Sequence, residues 1–361
     1  MTRTGIAVSS PDGFPTLSVG RWVKVMVILC AVAVVGLLVC LQFGTERIPL
    51  SQIARIVMNW SHEQMGAETQ GINPSVILLD VRLPRLLVAF LVGASLAAVG
   101  VSLQALLRNP LADPFILGSS GGAALGAAMA VQLGLAWAGA GFSAVELLAF
   151  LGAGMTMWGL YRVAMADGKM PVYTLLLAGV IINAVLSALI LFISSLLDST
   201  SAFRLFFWLM GSLASLAYPS ILVLALYVVI GIGLLCGQAR NLNLLAIGEA
   251  PAQTLGLDVE HAKRMIFFTS ALLTGAAVAV SGLIGFVGMM IPHAVRMVLG
   301  PDHRLLLPSS AILGGCFLAT ADTIARTVLA PTELPVGVIT ALCGGPFFIY
   351  LLVNKRRAQM G

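Results

Sequence analysis

Long apolar runs with almost no charge constrain this chain more than any other feature of its sequence. A helix that spans a membrane needs about 20 mostly apolar residues, because the hydrocarbon core of a bilayer is about 30 Å thick. Ten such runs lie at about 22–43, 86–107, 115–136, 143–165, 172–197, 219–237, 264–283, 284–300, 305–325 and 335–353. The pattern predicts an all-α polytopic membrane protein with about ten transmembrane helices.

The composition excludes the common classes of soluble protein. Of the 361 residues, 59% are hydrophobic and only 10% are charged, whereas soluble domains carry about 25% charged residues. A water-soluble fold would have too few charged side chains to cover its surface. Cytosolic enzymes, disordered proteins and nucleic-acid-binding modules are therefore excluded, and the surface is expected to contact membrane lipid.

The basic residues predict the orientation of the chain. With the N-terminus in the cytoplasm, 14 of the 20 lysines and arginines fall in cytoplasmic segments, and all the lysines are among them. The positive-inside rule favours this arrangement, with both termini in the cytoplasm. It predicts a cytoplasmic tail at 1–20, a single ten-helix domain at 21–357 that includes a cytoplasmic loop at 238–263, and a C-terminal tail at 358–361.

The two halves of the chain share a spacing of glycine and proline. Gly93, Gly100 and Pro110 recur 182 residues later as Gly275, Gly282 and Pro292. The two copies are the second and seventh spans, so they must cross the membrane in opposite directions. Inverted repeats with segments interrupted by glycine and proline are typical of transporter cores. Chance similarity between glycine-rich membrane helices is the alternative interpretation.

The sequence offers no catalytic or metal-binding constellation. The cysteines lie inside apolar runs without a CxxC pair, so they are expected to be buried apolar residues rather than disulfides or metal ligands. The histidines are expected to be surface or helix-end residues. The phosphate-binding pattern GxxxxGK is missing, so an ATP-driven process would need a motor on another polypeptide. The cysteines are Cys30, Cys40, Cys236, Cys316 and Cys343, and the histidines are His62, His261, His293 and His303.

Charged residues collect at the outer mouth of two predicted spans. Arg82 and Arg85 precede the second span, and Asp322 and Arg326 lie four residues apart near the end of the ninth, where they can pair on one helix face. Anchoring of the arginines at the membrane interface would explain them. A cationic rim at this mouth would also suit a protein partner that carries carboxylates.

The longest cytoplasmic loop is the most polar part of the chain. Between residues 240 and 264 its scattered leucines and isoleucine suit short docking helices, with Gly256 as a stop and Asp258 as an N-cap of the next helix.

Motifs in the order of a known family run from about residue 76 to the C-terminus and cover some four fifths of the chain. The motifs are DVRLPRLLVAFLVGASLAAVG (80–100), LRNPLADPFILGSSGGA (107–123), LLLAGV (175–180), IGEAPAQTLGL (247–257), GLIGFVGMMIPHAVR (282–296) and ADTIAR…ELPVGVITALCGGPFF (321–348). Through these motifs the chain resembles the FecCD-type permeases of ABC importers (type II) for iron chelates, heme and vitamin B12.

The resemblance implies a permease that is not itself an enzyme and that binds no cofactor or metal. It implies a homodimer in the bacterial inner membrane, two cytoplasmic ATPase subunits that hold ATP and Mg, and a periplasmic or lipid-anchored substrate-binding protein, with no nucleic acid. The expected function is ATP-driven import of an iron chelate, either a ferric siderophore or heme. A cobalamin permease of the same family is the alternative.

The resemblance also implies roles for particular residues. Three arginines match positions that receive glutamates from the binding protein, six loop residues match the helices that seat in the ATPase, and four match the cytoplasmic gate. In the second segment of the gate, before the fifth span, relatives often carry small hydroxyl residues, whereas this chain has Pro171–Thr174 (PVYT). These residues are Arg82, Arg85 and Arg326 for docking; Gly248, Glu249, Ala250, Gln253, Leu255 and Gly256 for coupling; and Asn109, Leu111, Val172 and Tyr173 for the gate.

A competing class is a secondary transporter that works alone. Such a protein normally places an ionisable residue deep in the membrane as a proton or ion site. Glu146 and Asp322 are the nearest candidates, and both are expected towards the ends of their segments. A membrane enzyme is disfavoured because the chain lacks a catalytic cluster.

Overall fold

Helices account for nearly all of the regular structure in the computed structural model. It describes residues 17–44, 46–58, 74–135, 138–139, 141–165 and 168–360. His62 and the first 16 residues of the predicted N-terminal tail lie outside these ranges. A small antiparallel pair of strands, β1 (Ala138–Gly139) and β2 (Phe142–Ser143), precedes one of the helices.

The helices are numbered here in chain order. A π-helical turn, Ile77–Arg82, lies within the third helix, and a 3₁₀ turn, Pro114–Leu117, precedes the fourth. The helices are α1 (Val19–Gln42), α2 (Leu50–Met58), α3 (Pro74–Leu106), α4 (Ser119–Gln132), α5 (Ala144–Ala164), α6 (Val172–Leu196), α7 (Ser199–Leu209), α8 (Tyr218–Gly237), α9 (Ala239–Ile247), α10 (Glu249–Thr254), α11 (Val259–Ser281), α12 (Val287–Leu299), α13 (His303–Thr327) and α14 (Val336–Met360).

Each of the ten predicted spans coincides with a helix, so the all-α polytopic membrane fold is confirmed. Among the described residues, seven helices are long and apolar enough to cross a membrane: α1, α3, α5, α6, α8, α11 and α13. The other three predicted spans, α4, α12 and α14, are shorter or only partly apolar. Before α12, residues 282–285 leave the helical conformation. Non-helical backbone at membrane depth is tolerated where it is buried in protein.

The two copies of the predicted repeat form the centre of the bundle. In the most apolar stretch of each helix, 83% of the residues are buried in α3 and 78% in α11, against 17% in α1 and in α6. Helices α11, α12 and α13 all pack against α3. The outer helices therefore present their apolar side chains to lipid, while the repeat makes the core.

The prediction that the cysteines are buried is wrong for Cys30 and Cys343, which are exposed on α1 and α14. Cys40 is buried, Cys236 and Cys316 are half-buried, and all five are free thiols. The reason is that lipid accepts a small apolar side chain on the outside of a membrane protein. An apolar environment therefore does not require burial against protein.

Contacts at the helix ends show that α3 and α11 run in opposite directions. Near the end of α3, Gln104 accepts a hydrogen bond of 2.9 Å from Arg296 near the end of α12. Asn243 of α9 donates to Asp302, between α12 and α13, at 2.9 Å. Since α10 and α11 follow α9 directly, α11 begins at the end of the bundle where α3 finishes. The inverted arrangement agrees with the predicted repeat.

The two ends of the bundle carry different features. We call the end with α9 and α10 the loop end. The opposite end, where Arg85 in the first half of α3 meets Asp322 near the end of α13 at 3.0 Å, is called the arginine end.

Glycines let the central helices approach backbone to backbone. A Cβ atom on Gly100 of α3 would lie 1.7 Å from the carbonyl oxygen of Gly288 in α12, and one on Gly93 would lie 2.2 Å from that of Gly314 in α13. Small residues allow such close packing between membrane helices. Gly93 and Gly100, the first copy of the repeated glycines, are therefore packing positions in the core.

We expect Gly100→Ala to destabilise the protein by about 1–3 kcal/mol, because overpacking a dense core forces the backbone to move. The matched control is Gly159→Ala in α5, where an added Cβ would have no atom within 4 Å. Thermal unfolding of the purified protein in detergent measures both. Equal unfolding temperatures for the two variants would contradict the packing assigned to Gly100.

Candidate functional site

The arginine end holds a network of two arginines and two carboxylates, which we call the arginine cluster: Arg85, Asp322, Arg326 and Glu333. Asp322 is completely buried and accepts hydrogen bonds from both arginines, from Arg85 Nη2 at 3.0 Å and from Arg326 Nε at 3.0 Å. Arg85 Nη1 also binds Glu333 at 2.8 Å, and the Glu333 side chain is 51% exposed. The predicted pairing of Asp322 with Arg326 is therefore confirmed, and Arg85 is its second partner.

Arg82 lies close by but has a different environment. It is 4% exposed, and its guanidinium donates to the carbonyl oxygen of Leu41 at 3.1 Å and to that of Glu46. The last carbonyls of a helix have no partner inside the helix and carry partial negative charge. Arg82 therefore caps the C-terminal end of α1 and ties it to the π-helical turn of α3.

The sequence suggested interfacial anchoring or a cationic rim for these three arginines, and the structure shows how far each is exposed. Arg82 and Arg326 are buried, and only 12% of the Arg85 side chain is exposed. A guanidinium at the edge of an apolar core is stable only with carboxylates or carbonyls around it. The exposed member of the cluster is a carboxylate, Glu333.

The loop end carries the short helices that the sequence predicted between residues 240 and 264. Helices α9 and α10 meet at Gly248, whose φ of 135° favours glycine, and Gly256 has a φ of 85°. Asp258 caps α11 by accepting a hydrogen bond from the backbone of His261 at 3.0 Å. The predicted stop and cap are both confirmed.

The residues predicted for ATPase coupling lie on this loop, where Leu255 and the neighbouring Ile247 turn apolar side chains outward and Gly248 is buried. Ile247 is 68% exposed and Leu255 is 65% exposed. Ala250, Gln253 and Gly256 are also exposed, whereas Ala252 is completely buried. An apolar surface at a polar end of a membrane protein is a candidate docking surface.

A buried lysine fixes this loop to the transmembrane helices. Lys263, in the first turns of α11, is 1% exposed, and its Nζ lies 3.2 Å from Glu249 Oε2, 2.8 Å from Glu260 Oε1 and 2.8 Å from the carbonyl oxygen of Met170. Glu260 also accepts a hydrogen bond from the backbone of Met170 at 2.9 Å. We call these four residues the lysine clamp. It joins α10, α11 and the segment before α6.

The predicted gate residues lie in two places. Asn109 and Leu111 belong to the turn after α3, where Asn109 Oδ1 accepts a hydrogen bond from the backbone of Leu111 at 3.0 Å. Val172 and Tyr173 begin α6, directly after the clamped Met170, and Tyr173 is 77% exposed. Leu111 lines an apolar cleft of about 520 Å³ between the turn after α3, α6 and the start of α12. The role of these residues as a gate stays a prediction.

Asp113 is the acidic group that lines this cleft. It precedes the 3₁₀ turn, where its Oδ1 accepts a hydrogen bond from the backbone of Phe115 at 2.8 Å. Burial raises the pKa of Asp113 from 3.8 to about 6, against the opposing effect of that hydrogen bond. The folded chain therefore holds this carboxyl protonated at mildly acidic pH, where the unfolded chain ionises it.

We expect the stability of the wild type relative to Asp113→Asn to fall by roughly 2–3 kcal/mol as the pH rises from about 4 to about 6. Over this range the folded state binds more protons at Asp113 than the unfolded state does, so deprotonation favours unfolding. In Asp113→Asn the side-chain oxygen still accepts the bond from Phe115, but the group no longer titrates. Thermal unfolding of both proteins across this range tests the expectation. A difference between them that does not change with pH would contradict it.

The residues that a secondary transporter would use have structural roles here. Glu146 accepts a hydrogen bond from the backbone of Ser143 at 2.6 Å, and Ser143 caps the same turn of α5 in return. Asp322 is held by two arginines.

The prediction that the histidines are surface or helix-end residues is wrong for His293. It lies within α12 and packs against Phe347 and Phe348.

A comparison with models of protein families identifies the family of this chain. The model of the FecCD transport family matches residues 30–354. The chain belongs to the FecCD transport family. The family resemblance drawn from the motifs is therefore confirmed, and the protein is a multi-pass ABC transporter permease.

Similar proteins agree with this family assignment. The chain is 45% identical to the cobalamin import system permease protein of Halobacterium salinarum, over 78% of this chain and 74% of the relative. It is 41% identical to the hemin transport system permease protein of Yersinia pestis, over 79% and 85%. A solved structure of a metal-chelate type ABC transporter in an inward-facing conformation superposes with a TM-score of 0.76 at 29% identity, covering 92% of this chain and 99% of the other.

Two charged residues of this FecCD permease were missed by sequence reasoning. Lys263 was counted only as a cytoplasmic charge, although its spacing of three residues from Glu260 could have indicated a pair on one helix face. Glu333 lies 248 positions from Arg85 in the sequence. No local pattern indicates that these two side chains meet.

Proposed function

We propose that this permease is the transmembrane subunit of an ATP-driven, binding-protein-dependent importer for an iron chelate, either a ferric siderophore or heme. It works as a homodimer in the bacterial inner membrane, with the loop end and both termini in the cytoplasm. The lysine clamp carries the proposal, because it links an exposed docking loop to the helices beside the cleft. ATP and Mg belong to two partner ATPase subunits, and this chain holds no cofactor.

The binding protein docks at the arginine end by carboxylate exchange. Asp322 holds the Arg85 guanidinium from the buried side, and Glu333 occupies its outer edge. Exposed ion pairs contribute only about 0–1 kcal/mol, so a glutamate of the binding protein can replace Glu333 at little cost. Arg82 and Arg326 match the other docking positions of the family, and their side chains must leave their present contacts to receive a carboxylate.

Movement passes from the ATPase to the pathway through the lysine clamp. When ATP draws the two ATPase subunits together, they push the loop that holds Ile247 and Leu255. The clamp transmits this displacement to α11 and to the segment before Val172 and Tyr173. The helices tilt and open the cytoplasmic gate, and the cargo leaves along the apolar cleft.

The cargo is a bulky chelate that needs few specific bonds in the pathway. This explains why the cleft is lined by apolar groups such as Leu111, Phe115 and Met289 and why the sequence lacks a ligand cluster. The permeases to which the chain is similar are named for cobalamin and for hemin, so a cobalamin importer is the alternative. A secondary transporter is disfavoured because Glu146 caps a helix and Asp322 is ion-paired.

Binding measurements with the binding protein encoded beside this permease test the docking assignment. Charge reversal at Arg82 and Arg326 is expected to abolish docking on the purified permease. Arg85→Gln, a milder change, is expected to weaken it at least tenfold. The control is Arg55→Glu on the exposed face of α2, which reverses a positive charge outside the arginine cluster. Unchanged affinity in folded Arg85→Gln protein would contradict the docking assignment.

A further inference from the structure

An asparagine on α9, the helix that leads into the docking loop, bonds to the start of α13. Asn243 donates from Nδ2 to Asp302 Oδ1 at 2.9 Å, and its Oδ1 accepts a hydrogen bond from the backbone N–H of His303 at 2.9 Å. The same oxygen lies 2.7 Å from Nδ1 of the His303 ring. Because the amide nitrogen donates to a carboxylate, the oxygen faces His303 and Nδ1 is a donor. We call Asn243, Asp302 and His303 the asparagine node.

The carboxylate of the node is part of the helix terminus. Asp302 is the N-cap of α13, and its Oδ1 also accepts a hydrogen bond from the backbone of Arg304 at 3.0 Å. Burial works to raise the pKa of Asp302, but the hydrogen bonds from Arg304 and Asn243 outweigh it and lower that pKa to about 2. Asp302 is therefore ionised at neutral pH, and hydrogen bonds to ionised groups are about twice as strong as neutral ones.

The histidine of the node is buried without full hydrogen bonding. His303 is 4% exposed, and among the described residues its Nε2 has no hydrogen-bond partner. A buried polar atom without a partner destabilises the fold, and an apolar side chain at this position would avoid that effect. The ring contributes its bond to Asn243 instead, which adds to the attachment of α9.

Helix α13 connects the asparagine node to the arginine cluster. It extends from His303 to Thr327, a length of about 37 Å at 1.5 Å per residue. The node lies at its first residue, and Asp322 and Arg326 lie in its last two turns. One helix therefore holds both the attachment of α9 at the loop end and the shared carboxylate at the arginine end.

Close packing against α3 keeps α13 rigid between these two ends. A Cβ atom on Gly314 would lie 2.4 Å from the Cβ of Ala97, and one on Gly315 would lie 2.5 Å from the ring of Phe90. Contacts this close leave no space for the helix to bend towards α3, and densely packed interiors transmit strain. A displacement at one end of α13 is therefore carried to the other end.

The asparagine node and the lysine clamp lead from the same loop to different helices. Lys263 joins α10 to α11 and to the segment before α6. Asn243 joins α9 to α13, and α9 packs against both α3 and α13. A change at the arginine cluster therefore reaches α9 along α13 without passing through the clamp.

We propose, on the basis of the proposed function, that Asn243 is a positioning residue that couples docking at the arginine cluster to the ATPase-facing loop through α13. When a carboxylate of the binding protein replaces Glu333 on Arg85, the shift of Asp322 moves α13, and the node moves α9 with it. Coupling between two binding sites is reciprocal. ATP on the motor must therefore change the affinity of the permease for the binding protein.

Other contacts hold the start of α13 when the node is removed. Pro308 has no backbone N–H, so the carbonyl oxygen of Arg304 lacks its usual partner inside the helix. Trp22 of α1 donates to that oxygen from Nε1 at 3.1 Å. Together with the packing on α3, this contact leads us to expect that Asn243→Leu folds and inserts.

The affinity of the binding protein, measured with and without nucleotide, tests the role of Asn243. The permease is assembled in nanodiscs with the ATPase encoded beside it, and the binding protein is titrated without nucleotide and with ATP plus vanadate. We expect the two affinities of the wild type to differ. In Asn243→Leu their ratio should come closer to one by roughly threefold or more. A purely structural role would change both affinities equally and leave the ratio as it is.

Asn241→Leu is the matched control on the same helix. Its amide donates to Gln238, at the start of α9, at 2.6 Å, and the ratio should equal that of the wild type. A wild-type ratio in Asn243→Leu, or an equal fall in Asn241→Leu, would overturn the role of Asn243. If Asn243→Leu does not assemble with the ATPase, Asn243→Ser takes its place and is judged by the same ratio, because its side chain is one bond shorter.

The same titrations distinguish failure of this role from failure of the proposed function. A wild-type permease that binds neither the ATPase nor the binding protein would contradict the proposed function itself. A wild type that binds both, with equal affinity for the binding protein in the two nucleotide states, would overturn only the coupling through Asn243.

Discussion

Asp322→Ala is expected to destabilise the permease by about 3–5 kcal/mol, the usual effect of removing one partner from a buried ion pair. Asp322 is completely buried and is the carboxylate shared by Arg85 and Arg326. In the variant Glu333 still reaches Arg85. The Arg326 guanidinium is 7% exposed, and among the described residues it keeps only a hydroxyl partner, Thr323. Thermal unfolding of the purified permease in detergent measures the loss.

Glu333→Gln is the matched control, since it removes the other carboxylate from the same arginine. Its side chain is half exposed, so the expected loss is below about 1 kcal/mol. Because the amide competes less well for Arg85, docking of the binding protein should tighten by a few-fold. Equal destabilisation by the two variants would contradict the arrangement of the arginine cluster.

Lys263→Met is expected to abolish ATP-driven uptake and to destabilise the permease by roughly 3–5 kcal/mol. The substitution leaves Glu249 and Glu260 facing each other without their shared cation, next to the carbonyl oxygen of Met170. The α10 residue Glu249 then loses its ionic link to α11. Uptake into proteoliposomes and thermal unfolding measure the two effects separately.

Glu249→Gln separates coupling from folding in the same clamp. Glu249 is one third exposed, and Lys263 keeps its bonds to Glu260 and Met170, so the fold should be nearly as stable as the wild type. Uptake should still fall, because the variant weakens the link between α10 and α11. Normal uptake in Glu249→Gln together with normal uptake in a folded Lys263→Met protein would contradict the role of the clamp.

Much of the fold was predictable because membrane insertion leaves a strong signal along the sequence. The ten apolar runs, the stop at Gly256 and the cap at Asp258 depend on neighbouring residues, and all agree with the structure. The glycines of the repeat indicated the central helices, since only small residues permit the backbone contact between Gly100 and Gly288.

The electrostatic arrangement was less predictable because it depends on contacts between distant parts of the chain. Arg85 and Asp322 are 237 positions apart, and Met170 reaches Lys263 across 93. The motifs identified the arginines, but they did not indicate that Arg82 caps α1 or that Arg326 is buried. Cys30 was misassigned because an apolar run does not distinguish a side chain that faces lipid from one that faces protein.

Import by this permease should need both ATP and a binding protein, and uptake into proteoliposomes measures both requirements. The vesicles contain the permease with the ATPase encoded beside it, and a labelled ferric siderophore, hemin or cobalamin is presented with the cognate binding protein. We expect uptake of an iron chelate that stops without ATP, without the binding protein or with vanadate. Uptake by the permease alone, driven by an ion gradient and indifferent to vanadate, would contradict it.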